Sequence, residues 1–334
     1  MRNLLVSLFA PLLAITVVIA APADDAAERA AVRSFLTELR PESRAKALFA
    51  FDDPHRLDWH YIPRERVGLP LSAMNDAERR ATHALLRRLL TPSGYGRANG
   101  VIELEGVLRE IENNPSRDPG AYFVSFFGNS SNTATDAEPW TFRFEGHHLA
   151  LNFSGTKEGG VQPTPLFLGA NPAEVLTGPH AGFKLLAPHE ELARALVKSL
   201  TPEQRKKAVI AETAPADVLF GPGKAADPDM KEGLLLTSLT PAQLEIEREL
   251  LRAVGSDVAM DAPSDPPTTT RFVWAGGMEP GQGHYWRLAG PDDVLEYDDT
   301  QNDANHVHFL WRDRKNDFAA DWLARHHAAE AGAR

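Results

Sequence analysis

Apolar residues recur along this chain first at helical spacing, then at strand spacing, and the succession happens twice. Val32, Phe35, Leu36 and Leu39 fall on one face of a predicted helix over Asp24–Arg40. A loop rich in Pro, Arg and aromatics follows from Asp52 to Pro70. Asn75 and Glu78 have capping-box spacing ahead of Leu85, Leu86 and Leu89, which predicts a helix over Asn75–Leu90. A third helix is expected over Val101–Glu112, stopped before Pro115. The pattern then alternates: Ala121–Phe127, Trp140–Phe144 and His148–Phe153 read as strands, the last two as a hairpin. Gly155–Pro188, rich in Gly and Pro, reads as a long loop.

The helical pattern that resumes after Pro188 is a second copy of the first. Leu36–Ala47 matches Val197–Ala208, and Gly68–Met74 matches Gly233–Leu239. Ala77, Leu85, Leu86 and Arg87 fall on Ala242, Leu250, Leu251 and Arg252. Thr201 and Thr240 each precede a Pro and stand three residues before a Gln, the signature of a capped helix start. Strands follow again, at Phe272–Gly277, in His-Tyr-Trp-Arg-Leu, in Val-Leu-Glu-Tyr and in His306–Trp311, and Trp140–Gly146 aligns with Tyr285–Gly290. Asp317–His327 reads as a closing helix. The expected fold is α+β: two tandem-duplicated helix-helix-antiparallel-sheet units over 24–188 and 189–334, packed into one body. Two such sheets join either face to face or edge to edge, each covering one face with helices.

Composition narrows the classes. The 334 residues are 43% hydrophobic and 24% charged with a formal net charge of -11, which repels phosphate backbones and argues against nucleic acid. Arg2, the apolar run Leu4–Ala21 and Ala21-Pro22-Ala23 have the form of a signal peptide over 1–23. The mature chain is then expected in the periplasm or outside the cell, with no stable membrane insertion. There is no Cys, hence no disulfide, thiolate ligand or Cys nucleophile.

Candidate chemistry concentrates between His284 and Trp311. His306 and His308, two apart on a strand, point the same way and can meet one ion. A protein zinc site needs three or four ligands; His284, His147 and His148 are the next candidates. The donors are nitrogen and oxygen only, which suits zinc, iron, manganese or copper. Glu296 or Asp298 would serve as general base for an acidified water. Asn302, Asp303 and Asn305, in a turn too irregular for an EF-hand, are expected to orient His306. Trp59, Tyr61 and Arg64 offer an alternative: a grip on a small anionic or sugar ligand without catalysis. These features favour an exported metal-dependent hydrolase, with a redox copper or iron enzyme less favoured and a periplasmic small-ligand binding protein as the alternative.

The stretches FDDPHRLDWHYIPRERVGLPL, WTFRFEGHHLALNF, HYWRLAGP, EYDDTQNDANHVHFLWRD and NDFAADWL resemble the exported bacterial family known as domain-of-unknown-function family 3500. The resemblance spans most of the mature chain. It implies one exported domain of that kind and no assigned activity, so the chemistry rests on the residues.

Overall fold

The computed structural model describes residues 26–128, 138–156, 160–224, 230–258 and 268–324. The expected signal peptide lies outside these residues, as do positions 325–327 of the expected closing helix.

Helix α1 (Ala26–Glu38) buries Val32, Phe35 and Leu36. Helix α2 (Pro41–Ala47) leads into β1 (Leu48–Phe49), and β2 (Leu69–Pro70) ends the aromatic loop. Helix α3 (Asp76–Leu89) starts at the capping box of Asn75 and Glu78. Helix α4 (Pro92–Glu112) begins nine residues before the expected Val101, with Thr91 accepting from the Gly94 N–H. Its glycines disguised it, because glycine disfavours helix interiors. They are present for packing: a Cβ on Gly94 would strike the Asp257 carbonyl, and one on Gly100 the Leu185 side chain.

Strands β3 (Phe123–Phe127), β4 (Trp140–Gly146) and β5 (Leu149–Thr156) follow, then β6 (Gly160–Gln162) and β7 (Leu166–Ala170). The last two correct the expected long loop. Every residue of β7 is buried; the prolines at 163 and 165 and the glycines around it masked a short strand.

The second half follows a similar order, without a counterpart of α4 among the described residues. Helices α5 (Ala187–Ser199) and α6 (Pro202–Ala208) lead to β8 (Val209–Ala211) and β9 (Leu234–Leu235). Helix α7 (Pro241–Gly255) precedes β10 (Arg271–Gly276), β11 (His284–Ala289), β12 (Asp293–Asp299) and β13 (Val307–Asp313). Thr201 and Thr240 both cap with complete capping boxes. The closing segment starts as a tight turn, with Phe318 and Ala319 at φ 57° and 58°, before helix to residue 324.

The strands form one continuous 13-stranded sheet with the path β1-β3-β4-β5-β7-β13-β12-β11-β10-β8. Each half runs inward from a short parallel edge strand, β1 on β3 and β8 on β10. The halves meet where β7 and β13 pair antiparallel, Leu166 opposite Trp311 and Gly169 opposite His308. Arg143 opposes Asn152 in one half, and Arg287 opposes Glu296 in the other.

Edge-to-edge joining is therefore the arrangement, and both faces of the sheet are covered. One face carries Phe126, Phe142, Phe144, Phe153, Trp274, Trp286 and Phe309 into a core with the helices. The other packs Phe167, Val294 and Leu310 against loop residues Trp59, Tyr61, Val218, Phe220 and Phe318. Full burial of each large apolar side chain contributes roughly 1.5–3 kcal/mol. Among the described residues no helix is long and apolar enough to cross a membrane.

Candidate metal centre

The loop-covered face also holds polar groups, and these set up the site. Arg143 is wholly buried; its guanidinium donates to Asn152 and to the carbonyls of His55, Arg56 and Asp58. In the second half Glu296 does the reciprocal work. Its Oε1 accepts from the Phe220 N–H at 2.7 Å, and its Oε2 from the Leu219 N–H and the Tyr285 hydroxyl at 2.8 and 2.9 Å. Buried polar residues on neighbouring strands of each half, Arg143 in one and Glu296 in the other, thus capture the backbone of the two covering loops.

Between these anchors three imidazoles converge. His148 sits in the two-residue turn between β4 and β5 at φ 61°. Its N–H donates to the Tyr61 carbonyl and its carbonyl accepts from Gly169, both at 2.8 Å. His306 precedes β13, its N–H donating to Asp299 Oδ1 at 3.2 Å. His308 lies within β13, opposite Asp298. The Nε2 atoms of His148 and His306 are 2.8 Å apart, and those of His306 and His308 are 3.1 Å apart.

The protonation logic favours a cation. His308 Nδ1 is 2.7 Å from Asp217 Oδ1. A carboxylate accepts, so the His308 proton sits on Nδ1 and its Nε2 presents a lone pair. His306 Nε2 carries either one proton or one lone pair, so it cannot make aligned hydrogen bonds to both neighbours. A cation among the three nitrogens would satisfy all of them. Burial, and then the charges of the neighbouring imidazoles, push His148 far below the ordinary histidine range. Burial, followed by His308, takes His306 down to about 3. Both are therefore neutral at pH 7, the state in which imidazole ligates metal.

Asp217 is the residue the sequence did not offer, an acid in a loop with no motif around it. Burial opposes its ionisation, but the bonds from His308, the Val218 N–H and the Tyr61 hydroxyl hold it below its ordinary range. Tyr61 lies flat on Phe167, ring centroids 3.9 Å apart. Asp298 Oδ1 accepts from the Thr300 hydroxyl at 2.8 Å, while its buried Oδ2 has no partner. Burial is the main cause that lifts Asp298 to about 7.

The other candidates are placed elsewhere. His147 stacks on His148 at 3.8 Å and turns Nδ1 to Glu105 at 2.6 Å, bracing the His148 ring. His284 lies on the helix-covered face, with Asp299 and Glu190. Trp59 is buried in the core, and Arg64 pairs with Asp58 at 3.0 Å. Asn302 and Asp303 hold left-handed turn positions at φ 51° and 56°. Asn302 donates to Asn171, and Asn305 exchanges hydrogen bonds with the Glu174 backbone. Those Asn side chains clamp the turn to segment 171–174, and Asp299 holds the His306 backbone.

A family model described as "Protein of unknown function (DUF3500)" matches residues 21–320. The chain belongs to that family. No curated protein and no solved structure matches.

Proposed function

We propose that this member of the family holds one divalent transition cation, zinc or another first-row metal, on His148, His306 and His308, and uses it in hydrolysis. The observation that carries the reading is the convergence of the three Nε2 atoms, with His308 Nδ1 braced by Asp217. Three neutral imidazoles leave a coordination position for water or substrate, and a cation so held brings bound water toward a neutral pKa. Asp217 fixes the His308 tautomer and raises its basicity. Tyr61 fixes Asp217 in turn. Asp298, on the His308 side of the sheet with its Oδ2 unengaged, is the group best placed to take a proton. Glu296 is committed to the 219–220 backbone and serves as an anchor. The gripping set of the binding-protein alternative is largely consumed, since Trp59 is core and Arg64 is paired. Export by residues 1–23 belongs to this proposal and rests on the leader pattern alone.

The test is metal analysis of the purified mature chain, then titration of metal-free protein with zinc, manganese, iron(II) and copper(II). His306→Ala and His308→Ala should each remove one bound equivalent while the fold persists by circular dichroism. A panel of ester, phosphoester and amide substrates follows, with turnover expected only in loaded protein and lost in His308→Ala. An unchanged stoichiometry in both variants would sink the metal centre. Stoichiometric metal with no turnover on any class would remove the hydrolytic half.

A further inference from the structure

The helix-covered face of the sheet carries a second group of ligand atoms that the histidine cluster does not use. His284, at the start of β11, is fully buried, its ring stacked at 4.9 Å on Trp274 and at 5.7 Å on Tyr297. Its Nδ1 lies 3.0 Å from the Gln282 carbonyl. A carbonyl only accepts, so the proton is on Nδ1 and the lone pair on Nε2. That Nε2 is buried and has no hydrogen-bond partner. Buried polar atoms of this kind are rare and call for an explanation.

Two carboxylates surround it. Asp299 ends β12, next to Asp298 but on the opposite face, and Glu190 comes from α5. The ligand atoms of His284, Asp299 and Glu190 all lie within 4.8 Å of one another. An imidazole lone pair and two carboxylates are three acceptors, and the buried donor beside them, Arg194, is engaged with Glu190 Oε1. Each of the three groups has one atom held by protein. Gln282 holds His284 Nδ1, the His306 N–H holds Asp299 Oδ1, and Arg194 holds Glu190 Oε1. The atoms outside these bonds are His284 Nε2, Asp299 Oδ2 and Glu190 Oε2. This is the pattern of ligands oriented from behind by outer partners. Arg194 offsets one charge through Glu190 but leaves the His284 lone pair unmet. A cavity of about 230 Å³ bordered by Glu190, Asp299, Tyr297 and Pro280 adjoins the group and gives room for water ligands and an entry path.

We infer that His284, Asp299 and Glu190 form a second, separate divalent-cation site, on the opposite side of the sheet from the three histidines. One imidazole and two carboxylates, with water completing the shell, suit zinc or manganese(II) over soft ions. Asp299 also holds the His306 N–H, so the two sites share one strand end.

The test is a zinc titration of the metal-free full mature chain, repeated with manganese(II) followed by electron paramagnetic resonance. Glu190→Gln and Asp299→Asn are near-isosteric and keep an oxygen for their existing partners. Wild type should take two equivalents. Each of these variants should keep one and bind the second about tenfold more weakly or worse. His308→Ala should lose the other equivalent, and His308→Ala combined with Asp299→Asn should lose both. If wild type binds a single equivalent that His308→Ala removes and the two carboxylate variants leave alone, the second site is wrong. It is equally wrong if wild type binds none. A single equivalent sensitive to Glu190→Gln and Asp299→Asn but not to His308→Ala would keep this site and remove the histidine centre.

Discussion

Asp217 carries no ligand atom to the cluster, yet the cluster depends on it. Its carboxylate fixes which nitrogen of His308 bears the proton and is itself fixed by Tyr61. Asp217→Asn should weaken metal binding about 10- to 100-fold with little change in fold, since outer partners of ligating histidines have effects of that size. A chelator-competition assay reads this; an unchanged affinity would show that the tautomer is set some other way. Gly169 acts by absence. A Cβ there would lie 3.0 Å from His148 Cδ2, so Gly169→Ala should push the ring off its position and cost about tenfold in affinity. Of these residues only the histidines were legible. His306 and His308 announce themselves by two-residue spacing. Asp217 reaches them from a loop 91 positions away, a contact no local pattern encodes. His284 falls beside them in the sequence, which shows proximity along the chain but not strand register. Only the pairing of His284 with Asp299 reveals that it belongs with Asp299, not Asp298.

At the scale of elements, the covering loops are held by buried polar side chains, and Glu296 among them has a pH signature. Burial, against the pull of its donors, raises Glu296 to about 7. A carboxylate raised in the folded state binds its proton more tightly there than in the unfolded chain. Its contribution is complete below the unfolded pKa near 4.5 and is lost as pH rises through about 7. Glu296 should therefore contribute a loss of stability between pH 5 and pH 7 in metal-free protein, of up to about 1.4 kcal/mol per pH unit, which the depressed His148 and His306 oppose. Glu296→Gln should flatten that slope in urea unfolding while costing about 1–3 kcal/mol at pH 5, because one backbone or hydroxyl donor loses its acceptor. An identical slope in the variant would place the titration elsewhere. Gly68 and Gly233 make a second element-scale case. They precede β2 and β9, at φ +109° and +106°, and a Cβ would sit 2.6 Å from the Val124 carbonyl oxygen or 2.7 Å from that of Phe272. Alanine at either should cost at least about 2 kcal/mol, from left-handed strain plus the clash, and the two losses should be alike. Both glycines stand at the head of the matched segments in the sequence. The glycines of α4 and the prolines around β7 mislead. They look like loop, while their use is close packing and a strand in the middle of the sheet.

For the whole molecule, the continuous sheet and the candidate site impose the same requirement, that both halves be present. Among the described residues the two halves of the sheet join through β7 against β13. Cutting the chain at 186 would leave Leu166, Phe167 and Leu168 on one side, and Phe309 and Leu310 on the other, as open apolar edges, which invite aggregation. The histidine cluster straddles the same seam, with His148 from one half and His306 and His308 from the other. A cation held there stabilises only the joined state, by about 4 kcal/mol when free metal exceeds the dissociation constant roughly 1,000-fold. Residues 24–186 and 187–334 expressed separately should each fail to give a metal-binding monomer. Expressed together they should copurify at equal stoichiometry, bind zinc at the histidine site, and dissociate more readily when it is chelated. Zinc held by either half alone with the affinity of the intact chain would show that the histidines of the other half are not ligands. Cooperative unfolding of a lone half as a monomer would show that the central pair is a contact between finished domains and not the middle of one sheet.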